Sequence, residues 1–296
     1  MKKCLFKGAG VALVTPMNSD GSINFTKLKE LTRWHIKNKT DAIIICGTTG
    51  EPATLSKEEH AKIISEVLNE ANGETCVIAG TGSNNTAHAI ELSKQARNLG
   101  VDGLLVVTPY YNKTSQEGLI AHYEAIASSV DLPIILYEVP SRTGCAFEVE
   151  TLKKLSEKEN IVALKAASGN LSQIAQVAAS CGNNLAIYSG NDDQIVPVLA
   201  LGGIGVISVL SNILPKQTHE ICELFFNGDV AKSKDLQLEL LDLINALFID
   251  VNPIPVKAAM NLMGMEVGGY RLPLCSLDET KARVLSCCLK KHGLIK

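Results

Sequence analysis

Lys165 stands inside an apolar run, IVALKAASG (161–169), where an unpaired cation does not belong. The run has the pattern of a buried strand: about six apolar positions, then small residues and a glycine. Burial disfavours the ammonium form and pulls a lysine pKa down. A fall of roughly three pH units would leave much of the amine neutral near pH 7. A neutral amine attacks carbonyl carbon, which is how Schiff-base lysines work. Alone, the same residue reads equally well as a strand-end lysine that reaches solvent or pairs with a carboxylate.

The residues at the ends of neighbouring runs have matching chemistry. They are Thr15-Pro16, Thr48-Thr49-Gly50-Glu51, Tyr110-Tyr111-Asn112, Tyr137, Ser141-Arg142, Gly190-Asn191-Asp192 and Ile207-Ser208. Carbinolamine formation, dehydration and conversion of imine to enamine each move protons between nitrogen, oxygen and carbon, so hydroxyls around an amine suit the task. Singly, Tyr137 is a half-buried strand-end aromatic, Thr48 and Thr49 are helix-entry caps, and Arg142 is a solvated loop charge. Those separate readings weaken when all of them fall on one rim with the lysine. No His/carboxylate cluster with metal-ligand spacing and no Ser-His-Asp set appears, so neither a metal nor a cofactor is expected.

Eight apolar runs must position these groups: 10–17, 42–51, 75–84, 103–112, 133–142, 161–170, 185–193 and 203–212. Helical patterns separate them. The segment 54–73 opens with a capping box at Ser56 and Glu59 and stops at Asn72-Gly73. Segments 85–100 and 115–130 behave likewise. Eight buried strands alternating with helices predict an α/β fold, a (β/α)8 barrel of the TIM type, whose active site lies at the C-terminal strand ends. An open doubly wound sheet is the alternative, but Gly80-Thr81-Gly82 is only a lone G-x-G and no P-loop is present. Alternation along the strands puts Ile135, Tyr137 and Val139 on one face of the fifth, and Ala163, Lys165 and Ala167 on one face of the sixth. The Tyr137 hydroxyl is then expected beside the Lys165 amine. Residues 1–225 are expected to form the barrel and 226–296 a helical C-terminal extension. That extension is read as one helix over 234–250, a short helix within 252–264 and a last helix from about Ser276; it caps the barrel or supports an oligomer interface.

Composition limits the other classes. The 296 residues carry a formal charge of −3 with signs interspersed, which gives no footprint for nucleic acid. The N-terminal segment reads as a first strand and not as a signal peptide, and no 20-residue apolar span suggests a membrane. The nine cysteines are an odd number without C-x-x-C spacing, which points to small core thiols and the reducing cytosol. Cys287-Cys288 are read as helix residues.

The segments GTTGE (47–51), TPYYNKTSQEGL (108–119), YEVPSRTG (137–144), LKAASGN (164–170) and GVISV (205–209) resemble the dihydrodipicolinate synthase family, as do NPIPVKAA (252–259) and RLPL (271–274). The similarity covers almost the whole chain. The lysine, barrel and YxVP tyrosine are shared by the wider pyruvate-dependent aldolases, whereas the paired threonines and the arginine of PSR are more specific to the synthase. The resemblance implies a cytoplasmic homotetramer, a dimer of dimers, in lysine and diaminopimelate biosynthesis. Such an enzyme condenses pyruvate with aspartate 4-semialdehyde to 4-hydroxy-tetrahydrodipicolinate. It implies that Lys165 forms the Schiff base and that Tyr137 shuttles protons, linked to Thr48 and to Tyr111 of a neighbouring subunit. Thr49 holds the pyruvate carboxylate, Gly190 and Ile207 line its site through the backbone, and Arg142 receives the semialdehyde carboxylate.

Three positions depart from the family pattern. Glu138 stands where many relatives have Asn, Ala166 where Glu is common, and Asn191 where Asp is frequent. Lysine-inhibited relatives carry Ser, His and Glu at the effector site, matched here by Pro52, Lys57 and His88, so lysine is not expected to regulate this chain. Other readings are a different 2-oxo-acid aldolase on the same barrel, a catalytically silent binding barrel, and a metal-dependent barrel hydrolase.

Overall fold

The structure is a computed structural model that describes Lys2 and residues 4–296. Met1 and Lys3 of the N-terminal run lie outside the described residues, and the first strand begins at Gly8. The strands are β1 Gly8–Ala12, β2 Ala42–Ile45, β3 Cys76–Gly80, β4 Gly103–Val107, β5 Ile134–Glu138, β6 Ile161–Ala166, β7 Ala186–Ser189 and β8 Gly205–Ser208. Each pairs in parallel with the next, and β8 returns to β1, closing the expected barrel. At the seam Gly8 lies opposite Gly205, whose φ is +157°. A Cβ on Gly205 would collide with the Gly8 carbonyl, so this closure needs glycine.

The strand alternation sorts two cores. Ala12, Ile44, Ile78, Leu105, Ile135, Ala163 and Ile207 fill the barrel interior. Val11, Ile43, Val77, Leu104, Leu136, Leu164 and Val206 face outward into the larger core shared with the helices. Burying each such aliphatic side chain contributes about 1.5–3 kcal/mol, which is why runs apolar on both faces fold as barrel strands. The N-terminal mouth is plugged by Phe6 stacked on Tyr188, with ring centroids 4.4 Å apart, and the Tyr188 hydroxyl donates to the Phe6 carbonyl at 2.6 Å.

The capping box of the helix Lys57–Ala71 forms as expected, and Asn72 takes the left-handed conformation that ends it. The C-terminal extension differs in one respect from the sequence reading. In place of one helix over 234–250 there are two, Val230–Glu239 and Leu241–Ala246. They pack on different partners, the first on Pro215–Phe226 and the second on Glu279–Lys291. Leu240 at the break is itself buried, so the apolar period runs on without a Gly or Pro to mark the change. The helix Ile254–Leu262 follows, and Glu279–Lys291 starts after Asp278, whose side chain accepts from the Lys281 amide at 2.9 Å. Cys287 and Cys288 lie in that last helix with free thiols.

Candidate active site

The strand register pairs Tyr137 on β5 with Lys165 on β6, so two interior side chains leave neighbouring strands at the same height. The Lys165 amine sits 4.3 Å from the centroid of the Tyr137 ring. Burial pulls its pKa from 10.5 down to about 8; the Asp192 carboxylate opposes the fall and the Arg142 guanidinium adds to it. At pH 7 that raises the neutral fraction roughly 300-fold over an ordinary lysine. Tyr137 is moved the other way: burial pushes its phenol up, while a hydrogen bond with the Thr48 side chain and the charge of Arg142 hold it back.

Thr48 and Thr49 belong to a single 3-10 turn, Thr48–Gly50, that continues from β2. The turn is tied from several sides. The Thr15 hydroxyl donates to the Gly50 carbonyl at 2.7 Å. Glu51 follows in a left-handed conformation, φ 57°, which directs its carboxylate inward to the Lys257 amine at 2.8 Å. Lys257 comes from the C-terminal extension, is wholly buried, and also donates to the Thr15 carbonyl at 3.0 Å. A paired charge is what makes such burial tolerable.

Asn252 is the functional candidate that the sequence reading missed. Its Nδ2 donates to the Thr49 hydroxyl at 2.9 Å, and its backbone carbonyl accepts from Arg142 Nη2 at 3.1 Å. Its own Oδ1 is buried and has no hydrogen-bond partner among the described residues. One residue of the extension thus joins the threonine turn to the arginine. The signal available was the segment NPIPVKAA, noticed as a family motif without a role for its asparagine. Arg142 itself is exposed on the short helix Pro140–Thr143 that follows β5.

On the opposite side of the rim, Gly190 donates its amide to the Ala166 carbonyl at 2.7 Å, seating the loop after β7 against the end of β6. A Cβ there would come within 2.6 Å of the Ala167 side chain. Ile207, on β8, is fully buried in the barrel interior with Tyr137. Asp192, named above only as a rim residue, is 2% exposed. Its Oδ2 accepts from the Val209 and Leu210 amides at 3.0 and 2.9 Å, while Oδ1 is buried without a partner.

Tyr111 is not brought to this site within the chain. It is 91% exposed, with a left-handed φ of 67°. Its loop is held by Asn112, whose side chain donates to the Asn84 carbonyl at 3.0 Å. A cavity of about 500 Å³ is lined by Thr48, Val139, Arg142 and Asn252 and extends to Tyr110, Lys57 and His88; Lys165, Gly190 and Ile207 do not line it. Both Lys57 and His88 meet Glu91, the histidine at 3.6 Å. Two departures noted from the family pattern turn out to be partners: Glu138 and Ala166 are paired in the register between β5 and β6. Glu138 there accepts from the Phe147 amide at 3.0 Å, and burial raises its pKa. Among the described residues, one cluster of metal-binding side chains occurs, Asp242, Cys288 and His292, and it lies in the C-terminal extension.

With this geometry in hand, comparison with known proteins is specific. The model of the dihydrodipicolinate synthetase family matches residues 5–292. The chain belongs to that family. A curated relative from Clostridium novyi, named 4-hydroxy-tetrahydrodipicolinate synthase, is 54% identical over 289 residues, covering 98% of this chain and 97% of its own. A solved dihydrodipicolinate synthase from Acinetobacter baumannii, complexed with pyruvate, superposes with a TM-score of 0.96 at 45% identity, covering 98% of this chain and 99% of that one. Another from Cyanidioschyzon merolae, with lysine bound, has a TM-score of 0.96 at 41% identity over 99% of this chain and 100% of that one. The family assignment makes this chain an enzyme, a lyase of the class I aldolase type.

Proposed function

We propose that the chain condenses pyruvate, held as a Schiff base on Lys165, with L-aspartate 4-semialdehyde to give 4-hydroxy-tetrahydrodipicolinate. The observation that carries this reading is the pairing of a buried, partly neutral Lys165 with Tyr137 across β5 and β6. The amine attacks C2 of pyruvate, and the carbinolamine loses water to become an iminium. Loss of a C3 proton then gives the enamine, whose C3 attacks the aldehyde carbon. The amino group of the semialdehyde portion next attacks the iminium carbon and releases Lys165 as the ring closes. Tyr137 is the proton carrier for these steps, poised by the Thr48 hydroxyl.

Thr49, fixed by Asn252, holds the pyruvate carboxylate in this reading, with Gly190 and Ile207 lining the same space through their backbones. Arg142 takes the semialdehyde carboxylate, since a planar fork matches two carboxylate oxygens and the residue borders the cavity. Tyr111, exposed and held in an uncommon backbone conformation, completes the relay from a neighbouring subunit of a homotetramer. Residues 1–225 serve as the catalytic barrel and 226–296 as an extension that reaches back to the rim. No described helix is long and apolar enough to cross a membrane, and we place the enzyme in the cytoplasm. Lysine does not inhibit it in this reading: Pro52 offers no hydroxyl, His88 offers no carboxylate to pair with the effector's ammonium, and Lys57 adds like charge. Millimolar or tighter inhibition in a lysine titration would overturn that point.

The direct test is intact-mass analysis after mixing the protein with pyruvate and borohydride. A reduced pyruvate adduct on the wild type that is lost in Lys165→Ala supports the imine; no adduct on the folded wild type refutes it. Sedimentation at working concentration tests the tetramer.

A further inference from the structure

Away from the rim, the C-terminal extension gathers three side chains that the chemistry above does not use. We propose that Asp242, Cys288 and His292 form a zinc site that ties the last helix, Glu279–Lys291, to the helix Leu241–Ala246. The site stands apart from the Schiff-base reading, because none of the three lines the cavity bordered by Thr48, Arg142 and Asn252.

Helical spacing brings the ligands together. Cys288 and His292 are four residues apart, and the His292 amide still donates to the Cys288 carbonyl at 3.2 Å, so both side chains leave one face of the helix. Leu285 and Leu289 on that helix and Leu243 and Ile244 on the other are buried in the core, which fixes the two helices against each other. Asp242 reaches across from the facing helix. Its Oδ1 meets His292 Nε2 at 2.8 Å, and its Oδ2 accepts from Lys291 at 2.6 Å. One thiol, one imidazole nitrogen and one carboxylate oxygen lie within 4.8 Å of one another. A surface ion pair needs only Lys291 and contributes little. A histidine side chain only 11% exposed and a free thiol beside the same carboxylate are a ligand set.

The donor atoms select the cation. Sulfur together with imidazole nitrogen suits zinc, whereas calcium and magnesium take oxygen ligands. Bonds of about 2.0–2.3 Å put the ligand atoms of tetrahedral zinc about 3.3–3.8 Å apart. Shifts of about 1 Å or less reach that geometry from the present one. Zinc takes the place of the hydrogen between His292 and Asp242; the neutral imidazole keeps its proton on Nδ1, and the Cys288 thiol releases its proton to water. Lys291 stays on the second carboxylate oxygen, orienting the ligand as outer hydrogen bonds do in metal sites, although its like charge weakens binding. An open groove of about 600 Å³, bordered by Asp242, His292 and the exposed Glu239, gives the ion a way in and leaves the fourth position to water.

The experiment is titration of the chelator-stripped, full-length protein with zinc chloride and, separately, with cobalt(II) chloride. Zinc should bind at one equivalent per chain with a dissociation constant on the order of 1 µM or below, and should raise the melting temperature. Cobalt should give the near-ultraviolet band of a thiolate–metal bond, and Cys288→Ser should abolish it. Cys288→Ser and His292→Gln should each weaken zinc binding by about 10–100-fold or more. Cys287 is exposed and outside the cluster, so Cys287→Ser should bind zinc as the wild type does. The near-isosteric Cys288→Ser carries the test if His292→Gln does not fold. Absence of a one-equivalent site in the wild type overturns the inference. So does an affinity unchanged in Cys288→Ser, or one lost equally in Cys287→Ser. Borohydride trapping with pyruvate should be the same in wild type and Cys288→Ser, so failure of the zinc site leaves the Schiff-base reading standing.

Discussion

Removing the Lys257 ammonium should destabilise the threonine turn more than any surface change could. Lys257 and the Glu51 side chain are 0% and 1% exposed, and their charges lie 2.8 Å apart. In Lys257→Met the aliphatic stem is largely kept, but Glu51 is left as a buried carboxylate with the Arg271 amide, at 3.3 Å, as its one remaining donor among the described residues. The Thr15 carbonyl also loses its donor. Breaking such a pair by removing one partner costs about 3–5 kcal/mol, a large share of a typical stability of about 5–15 kcal/mol. At roughly 2–4 °C per kcal/mol for a large domain, the melting temperature should fall on the order of 10 °C. The double change Glu51→Gln with Lys257→Met removes both charges and should recover at least about 2 kcal/mol of that loss. Reversible urea unfolding of the four proteins at one fixed concentration gives the cycle. Pyruvate KM of the single variant should rise as well, because Glu51 caps the turn that holds Thr48 and Thr49. A loss below about 1 kcal/mol, or strict additivity in the double variant, would refute the claim that this pair braces the turn.

Tyr137→Phe should lower kcat by about 10²–10⁴, the usual contribution of positioned acid–base catalysis, and an unchanged rate would remove Tyr137 from the relay. Arg142→Ala should sharply raise the KM for the semialdehyde while imine trapping with pyruvate persists; untouched semialdehyde turnover would mean another aldehyde is the acceptor. Asn252→Ala should raise the pyruvate KM, since it removes the amide that holds Thr49, while the semialdehyde KM should change little because the backbone carbonyl that accepts from Arg142 is kept; a semialdehyde KM raised as much as that of pyruvate would refute this division. Wild-type imine formation should rise with pH and level off through a midpoint near 8, because the depressed Lys165 pKa leaves the amine protonated below it. A midpoint near the ordinary lysine value would show that the amine is not desolvated in solution.

The barrel was legible because each of its strands is apolar on both faces, and only helices outside and side chains inside can cover both. Lys165 and Tyr137 were legible for a related reason: a cation or phenol in such a strand needs an explanation, and a period of two puts both on one face. Asn252 and Lys257 were not legible from pattern alone. They lie about 200 residues from Thr49 and Glu51, and no local periodicity encodes a contact across that distance. The break at Leu240 was hidden because a change of packing partner leaves no mark when the residue at the bend is itself apolar and buried. Tyr111 is the opposite case: the sequence resemblance names it, and the single chain leaves it in solvent.

The same distant contacts change how the extension should be understood. Asn252, Lys257 and Arg271 lie within twenty residues, and all three reach the β2 side of the rim. Arg271 donates to the Thr54 carbonyl at 2.6 Å and to Glu59 Oε2 at 2.7 Å, at the start of the helix Lys57–Ala71. The threonine turn is therefore clamped between its own strand and a segment translated long after the barrel is complete. A barrel folded without residues 252–271 would still pair Tyr137 with Lys165, because that register belongs to β5 and β6 alone. It would lack the groups that fix Thr49 and engage Arg142. The pairing of Lys165 with Tyr137 is thus a property of the strands, whereas the bracing of Thr49 and Arg142 is a property the extension confers on them.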